Sequence, residues 1–113
     1  MSAALVDTIV KALEDVKGQE ITVLEVSGLT DVTDYLVVAS GTSGRQIKAL
    51  AQNVIDECKE KGIRALGIEG LDGGEWVLVD FGDAVVHVML PETRAFYDLE
   101  KLWSVRPGDA TAP

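Results

Sequence analysis

Residues 75–88 read EWVLVDFGDAVVHV, and this stretch fixes more of the fold than any other part of the chain. Two apolar runs, 75–81 and 84–90, flank the dipeptide Gly82-Asp83. A dipeptide of this kind is short enough for a tight turn, so the stretch predicts an antiparallel β-hairpin. Because side chains alternate along a strand, the two faces of that hairpin differ in chemistry.

One predicted face of the hairpin is aliphatic, and we expect it to lie in the core: Val77, Val79, Val86 and Val88. The other face is mixed, because a two-residue turn pairs Trp76 with Met89, Leu78 with His87 and Asp80 with Val85. Aromatic and Met side chains are enriched at protein interfaces. The mixed face is therefore a candidate partner-binding surface. Two alternatives stay open: a helix that covers this face and leaves Trp76 in the core, and an odd-length loop that exchanges the two groupings.

Outward from the hairpin, apolar periodicity predicts three helices and three more strands. The predicted helices are residues 5–16, ending at Gly18, then 43–61, ending at Gly62, and one that opens at Pro91; the strands are 21–26, 35–39 and 64–68. The order α-β-β-α-β-β-β-α predicts a single α/β (α+β) domain, with a mixed sheet of about five strands and helices packed on it. We expect this domain to span residues 1–103 and residues 104–113 to be a disordered tail.

Local chemistry predicts how two of the helices begin and pack. Ser43 and Gln46 have the spacing of a capping box, in which each side chain bonds the other residue's backbone. In the last helix, Arg94 is placed to pair with Asp98 one turn on. Its apolar face is expected to pack on the sheet through Ala95, Phe96, Leu99 and Leu102.

Charge and composition restrict the class of partner. The chain has 113 residues, with 10 Lys and Arg against 19 Asp and Glu, and a net charge of −9. Such a surface repels phosphate backbones, so we expect no direct sequence-specific nucleic-acid binding and favour a basic protein partner. Solubility alone is the other explanation of the acidity. No apolar run is long enough for a membrane, and the single cysteine suits a reducing compartment, so we expect a cytoplasmic protein.

The sequence offers no catalytic, cofactor-binding or metal-binding set, and we expect a protein that is not an enzyme. His87 is the only histidine, and Cys58 falls on the apolar face of a helix far from it in sequence. Residues 40–44 resemble the Gly-Ser turn of nucleotidyltransferases. Those enzymes hold magnesium with an Asp-x-Asp pair, whereas Asp80 and Asp83 have the wrong spacing and flank a turn. A helix-capping turn explains residues 40–44 better.

Three stretches together resemble the Iojap family of ribosomal silencing factors: DYLVVASGTSGRQ at 34–46, EWVLVDFGDAVVHV at 75–88 and PETRAFYDLEKLW at 91–103. The resemblance covers about residues 5–103, and Ala84 is a mild departure where many members carry a larger aliphatic residue. It implies a degenerate nucleotidyltransferase-like fold. It also implies binding to the large ribosomal subunit, through its protein numbered fourteen at an intersubunit bridge, which blocks subunit association and represses translation.

By motif, the family's interface maps to the mixed face of the hairpin: Trp76, Leu78, Asp80, His87 and Met89. Two other hypotheses stay open. One is a degenerate nucleotidyltransferase-like protein that binds nucleotides. The other is a homodimer closed by the Trp76 face, since an apolar patch serves either kind of protein partner.

Overall fold

The computed structural model describes residues 2–99 and 101, which form one five-stranded sheet and three helices. The element order is the one predicted. The elements are α1 (Ser2–Asp15), β1 (Gln19–Glu25), β2 (Tyr35–Ser40), α2 (Gly44–Glu60), β3 (Gly67–Glu69), β4 (Trp76–Asp80), β5 (Ala84–Met89) and α3 (Pro91–Tyr97). Leu102, Trp103 and the predicted tail lie outside the described residues.

The sheet is mixed, as expected, with strand order β1-β2-β5-β4-β3. Only the central pair, β2 and β5, is parallel; every other neighbouring pair is antiparallel. Parallel neighbours need a long crossover, and α2 with the β3–β4 ribbon supplies it. The hairpin register is confirmed at every pair, including Trp76 with Met89 and Leu78 with His87. The two-residue turn closes with Phe81 N–H donating to the Ala84 carbonyl, and Gly82 takes a positive φ of 87°.

The main core lies between the sheet and the helices α1 and α2. The four hairpin valines are fully buried there, which confirms the predicted inward face. They share one apolar cluster with Leu50 and Val54 of α2 and with Ile9 of α1. Helix α3 does not contribute to this cluster. The expected packing of the valines on α2 is confirmed. The other partners expected for them, Phe96 and Leu99, do not reach them, because α3 lies against the opposite face of the sheet.

Helix α2 begins and ends largely as its sequence predicts. Ser43 caps it, accepting a hydrogen bond from the Gln46 N–H at 3.1 Å. The reciprocal bond differs, since the Gln46 side chain accepts from Thr42 N–H at 2.7 Å. Its amide nitrogen then donates to the Val16 and Lys17 carbonyls, joining the start of α2 to the end of α1. At the other end, Gly62 has a φ of 83°, as a helix-terminating glycine requires.

Two further predictions are corrected by local geometry. The left-handed residue that ends α1 is Lys17, with a φ of 63°. The position of Gly18 has little room for a side chain, because a Cβ there would meet Leu50 at 3.2 Å. Strand β3 is shorter and later than residues 64–68, since only Gly67–Glu69 pair with β4. Of the helices described, none is long and apolar enough to cross a membrane.

Candidate functional site

Strand β4 presents three predicted site residues, Trp76, Leu78 and Asp80, on the sheet face opposite α1 and α2. All three are half-buried. Trp76 and Leu78 line an open cavity of about 290 Å³ together with Glu69 and Gly70. Because the cavity is open and these side chains are only half-buried, this face of β4 is accessible from outside. These three residues form the accessible part of the predicted site.

Trp76 is held on two sides by other rings. Its indole Nε1 donates to Nδ1 of His87 at 2.9 Å, with the ring centroids 5.8 Å apart. On its other side, Tyr97 of α3 lies 4.7 Å away between centroids, tilted by 47°. The sequence left two possibilities for Trp76, an open ring and a ring covered by a helix. The structure shows an intermediate arrangement. Trp76 is a partly exposed ring whose orientation is fixed by its neighbours.

His87 lies behind Trp76 and is nearly buried, with 8% of its surface exposed. Burial lowers the pKa of His87 to about 4, so the imidazole is neutral near pH 7. Neutral imidazole leaves Nδ1 free to accept the indole proton. The structure therefore places His87 as a hydrogen-bonded support for Trp76. The expectation that it belongs to an open face is corrected.

Met89 is fully buried, which also contradicts the expectation of an open face. Strand β5 is central in the sheet, so its outer side chains are covered where α3 and the chain after it cross over. Met89 packs in a second, smaller cluster with Val26, Val38 and Leu99. Burial of Met89 stabilises the fold, and the side chain is not available at the surface of the isolated chain.

Asp80 has a structural hydrogen bond that the sequence did not predict. Its Oδ1 accepts the Gly82 N–H at 2.8 Å, which supports the hairpin turn. A carboxylate accepting a local backbone N–H stabilises a tight turn. Substitution of Asp80 therefore changes the turn as well as any contact with a partner.

Two aromatic residues of α3 enlarge the accessible surface, and sequence reasoning placed one of them in the core. Phe96 is 81% exposed and Tyr97 is 52% exposed. Their rings pack edge to face, 5.0 Å between centroids. We call Trp76, Leu78, Phe96 and Tyr97 the aromatic face. The sequence signal for this surface was the adjacent Phe-Tyr pair. Neighbouring residues of a helix point in different directions, so the two rings cannot both face the protein core.

Exposed acids lie beside the aromatic face. Glu75 and Glu92 line a cavity of about 250 Å³ with Thr93, Phe96 and Tyr97, and Glu69 lines the cavity at Trp76. An aromatic centre with an acidic margin is complementary to an apolar surface bordered by basic side chains.

Arg94 has a role that the sequence did not predict. The interpretation that it pairs with Asp98 is replaced by contacts to the sheet. Its Nη1 donates to Ser40 Oγ at 2.9 Å and its Nη2 to Thr22 Oγ1 at 3.0 Å, with only 9% of the residue exposed. We call these two hydrogen bonds the Arg94 clamp. They attach α3 to strands β1 and β2.

The surroundings of the other candidate groups, a cysteine and the turn before α2, are those of structural residues. Cys58 is fully buried, and burial, then the charge of Glu57, raises the pKa of its thiol to about 11, which opposes thiolate formation. In the turn before α2, a Cβ on Gly44 would lie 3.0 Å from the Gly74 carbonyl, so backbone packs closely against this helix end. Within residues 2–99 and 101, no three His, Cys, Asp or Glu side chains group as a metal site.

A sequence profile described as "Ribosomal silencing factor during starvation" matches residues 1–112. The chain is 53% identical over 94 residues to the ribosomal silencing factor RsfS of Chromobacterium violaceum, a match that covers 83% of this chain and 77% of that protein. A crystal structure of a C. violaceum protein superposes with a TM-score of 0.90 at 48% identity, covering 91% of this chain and 86% of that one.

A more distant relative is named for its role in ribosome assembly. The chain is 40% identical over 107 residues to the mouse protein "Mitochondrial assembly of ribosomal large subunit protein 1". That match covers 92% of this chain and 47% of the mouse protein.

Proposed function

The chain belongs to the ribosomal silencing factor family, and on that premise we propose that it binds the large ribosomal subunit and prevents the small subunit from joining it. The proposed contact is the large-subunit protein numbered fourteen, at its intersubunit bridge. The protein acts by occupying that surface, without turnover, and so represses translation. The mouse relative's name, which concerns the large subunit, supports the choice of subunit.

The observation that carries this proposal is the exposed aromatic face. Phe96 and Tyr97 expose most of their surface beside the half-buried Trp76 and Leu78. An isolated domain gains nothing from leaving a phenylalanine 81% exposed, since burial of such a side chain is worth about 1.5–3 kcal/mol. Aromatic side chains are enriched at protein interfaces, and Trp and Tyr are frequent hot spots there. The net charge of −9 favours a basic partner surface.

Phe96 is a better probe of the proposed contact than Trp76. Trp76 supports Tyr97 and bonds His87, so Trp76→Ala disturbs the fold and the surface together. The ring contact shown for Phe96 is with Tyr97, and its other edges face solvent. We expect Phe96→Ala to melt within a few degrees of the parent. It should weaken binding to isolated large subunits by about 2 kcal/mol, roughly thirtyfold, because an interface anchor is lost.

Val32→Ala is the matched control, since Val32 is also 81% exposed but lies in the loop between β1 and β2. Binding is measured by co-sedimentation with large subunits over a protein titration. Blocking is measured by adding small subunits and separating joined from free subunits on a gradient. The parent and Val32→Ala should bind and keep subunits apart, whereas Phe96→Ala should do so only at higher concentration. Parental affinity in Phe96→Ala would rule out this face as the contact.

A further inference from the structure

Helix α3 carries half of the aromatic face but has little apolar attachment of its own. It has seven residues, and of these the structure buries only Arg94. Beside Arg94, an open, partly polar cavity of about 260 Å³ is lined by Glu20 and Ser40 on the sheet side and by Ala95 and Asp98 on the helix side. A helix this short is unstable without tertiary contacts. Its position therefore depends on a few specific interactions.

The Arg94 clamp contributes polar contacts to those interactions. The guanidinium has two of its N–H groups aimed at hydroxyls on different strands, Ser40 on β2 and Thr22 on β1. Two bonds from one rigid, planar group fix direction as well as distance. Because the side chain is buried, these bonds are poorly exchanged for water, and losing them leaves buried donors unsatisfied.

The clamp and the aromatic contact lie on the same side of α3. Arg94 and Tyr97 are three residues apart, so both side chains face the sheet. Arg94 reaches β1 and β2, while Tyr97 reaches Trp76 on β4. Directly after Tyr97, Asp98 takes a left-handed conformation with a φ of 46°, ends the helix and turns Leu99 toward Met89. A rotation of α3 that breaks the clamp must also move Tyr97 relative to Trp76.

We propose that Arg94 is a positioning residue for the partner-binding surface: through the clamp it sets the orientation of α3 and keeps the Tyr97 ring in contact with Trp76. This inference rests on the proposed function, because the surface it positions is the proposed contact with the large subunit. Arg94 itself is buried against β1 and β2 and makes its contribution through α3. Its removal changes the arrangement of the aromatic face without removing any member of it.

The test combines a spectroscopic measurement with binding. The chain has two tryptophans, so a Trp103→Phe background leaves Trp76 as the only emitter. In that background Arg94→Ala removes the donor. Thr22→Val removes one acceptor while keeping the side chain's size. Thr8→Val is the matched control, since Thr8 is also half-buried and bonds a backbone carbonyl, but in α1. For each variant one measures melting, acrylamide quenching of Trp76, and co-sedimentation with large subunits.

We expect Arg94→Ala to raise the quenching constant of Trp76 and to weaken binding about tenfold, within the range found for residues that act without touching the ligand. Thr22→Val should change both quantities in the same direction by less, and Thr8→Val should change neither. Adding Thr22→Val to Arg94→Ala should change quenching and affinity little further, because the bond between the two side chains is already lost. Thr22→Val decides the question if Arg94→Ala does not fold.

The inference is overturned if folded Arg94→Ala keeps the quenching and the affinity of the parent. If Arg94→Ala does not fold, the same result in Thr22→Val overturns it. Looser tryptophan packing with parental affinity would overturn its link to binding. If the parent chain itself does not co-sediment with large subunits, the proposed function falls, and quenching alone still decides whether Arg94 orients the aromatic face.

Discussion

His87 illustrates how a single buried group can shape a surface that it does not join. The sequence favoured a structural or interface role for it, because neither a nucleophile nor a second metal ligand accompanies it in the sequence. Its position behind Trp76 could not be predicted, since cross-strand pairing assigns a face but not the depth at which a later helix covers that face. The same limit applies to Met89, which pairs with Trp76 as predicted and yet is fully buried.

The lowered pKa of His87 makes stability depend on pH in a defined window. The folded chain has a pKa of about 4 at this group, below the ordinary value of 6.5 that applies when the chain is unfolded. The unfolded state therefore takes up a proton at higher pH, and stability falls as the pH drops from about 6.5 to about 4. Above pH 6.5 this contribution is fully present.

We expect His87→Asn to flatten that part of the stability profile. The Asn side-chain oxygen can replace Nδ1 as acceptor for the Trp76 indole, and it does not titrate. Between pH 7.5 and about pH 4 the melting temperature of the parent should fall further than that of the variant, because other acids titrate equally in both. Parallel curves would mean that His87 is not buried as a neutral group.

The β4–β5 hairpin and helix α3 show which elements a sequence determines. A two-residue turn and strict alternation fix a register, so every pair of the hairpin was predictable. In α3 the apolar residues span less than two turns, too few to define which side faces the core. The helix is instead placed by Arg94 and Tyr97, whose partners come from strands distant in sequence.

The loop between β3 and β4 is a further element whose geometry affects the aromatic face. Gly70 has a φ of 85°, and a Cβ there would collide with the Trp76 carbonyl oxygen. We expect Gly70→Ala to lower the free energy of unfolding by about 2 kcal/mol or more, because both the left-handed backbone and the clash are unfavourable. Gly28→Ala is the control, since an added Cβ there meets nothing within 4 Å. Chemical denaturation that gave equal losses for the two variants would contradict this account.

Across the whole molecule, the net charge of −9 becomes informative only through its distribution. The sequence predicted a basic protein partner from the total, but it could not show that Glu75 and Glu92 border the aromatic face. Charges near a contact raise the rate of encounter with an oppositely charged surface, and distant charges have a weaker effect. The effect of local charge on association can be separated from that of net charge, because exposed acids lie both beside the aromatic face and on helices α1 and α2.

We expect Glu75→Gln with Glu92→Gln to slow association with large subunits by about threefold at about 0.1 M salt, with little change in the dissociation rate. The control is Glu14→Gln with Glu60→Gln, two exposed acids on α1 and α2. Each pair changes the net charge equally, from −9 to −7, because two acids are neutralised. Stopped-flow association of labelled protein measures both rates.

The difference between the two pairs should shrink as salt is raised to about 0.5 M, because the screening length then falls well below the size of the protein. Equal slowing by both pairs would mean that only the total charge steers the encounter. An unchanged rate in Glu75→Gln with Glu92→Gln, beside a slowed control pair, would place the contact on the helical side of the sheet and away from the aromatic face.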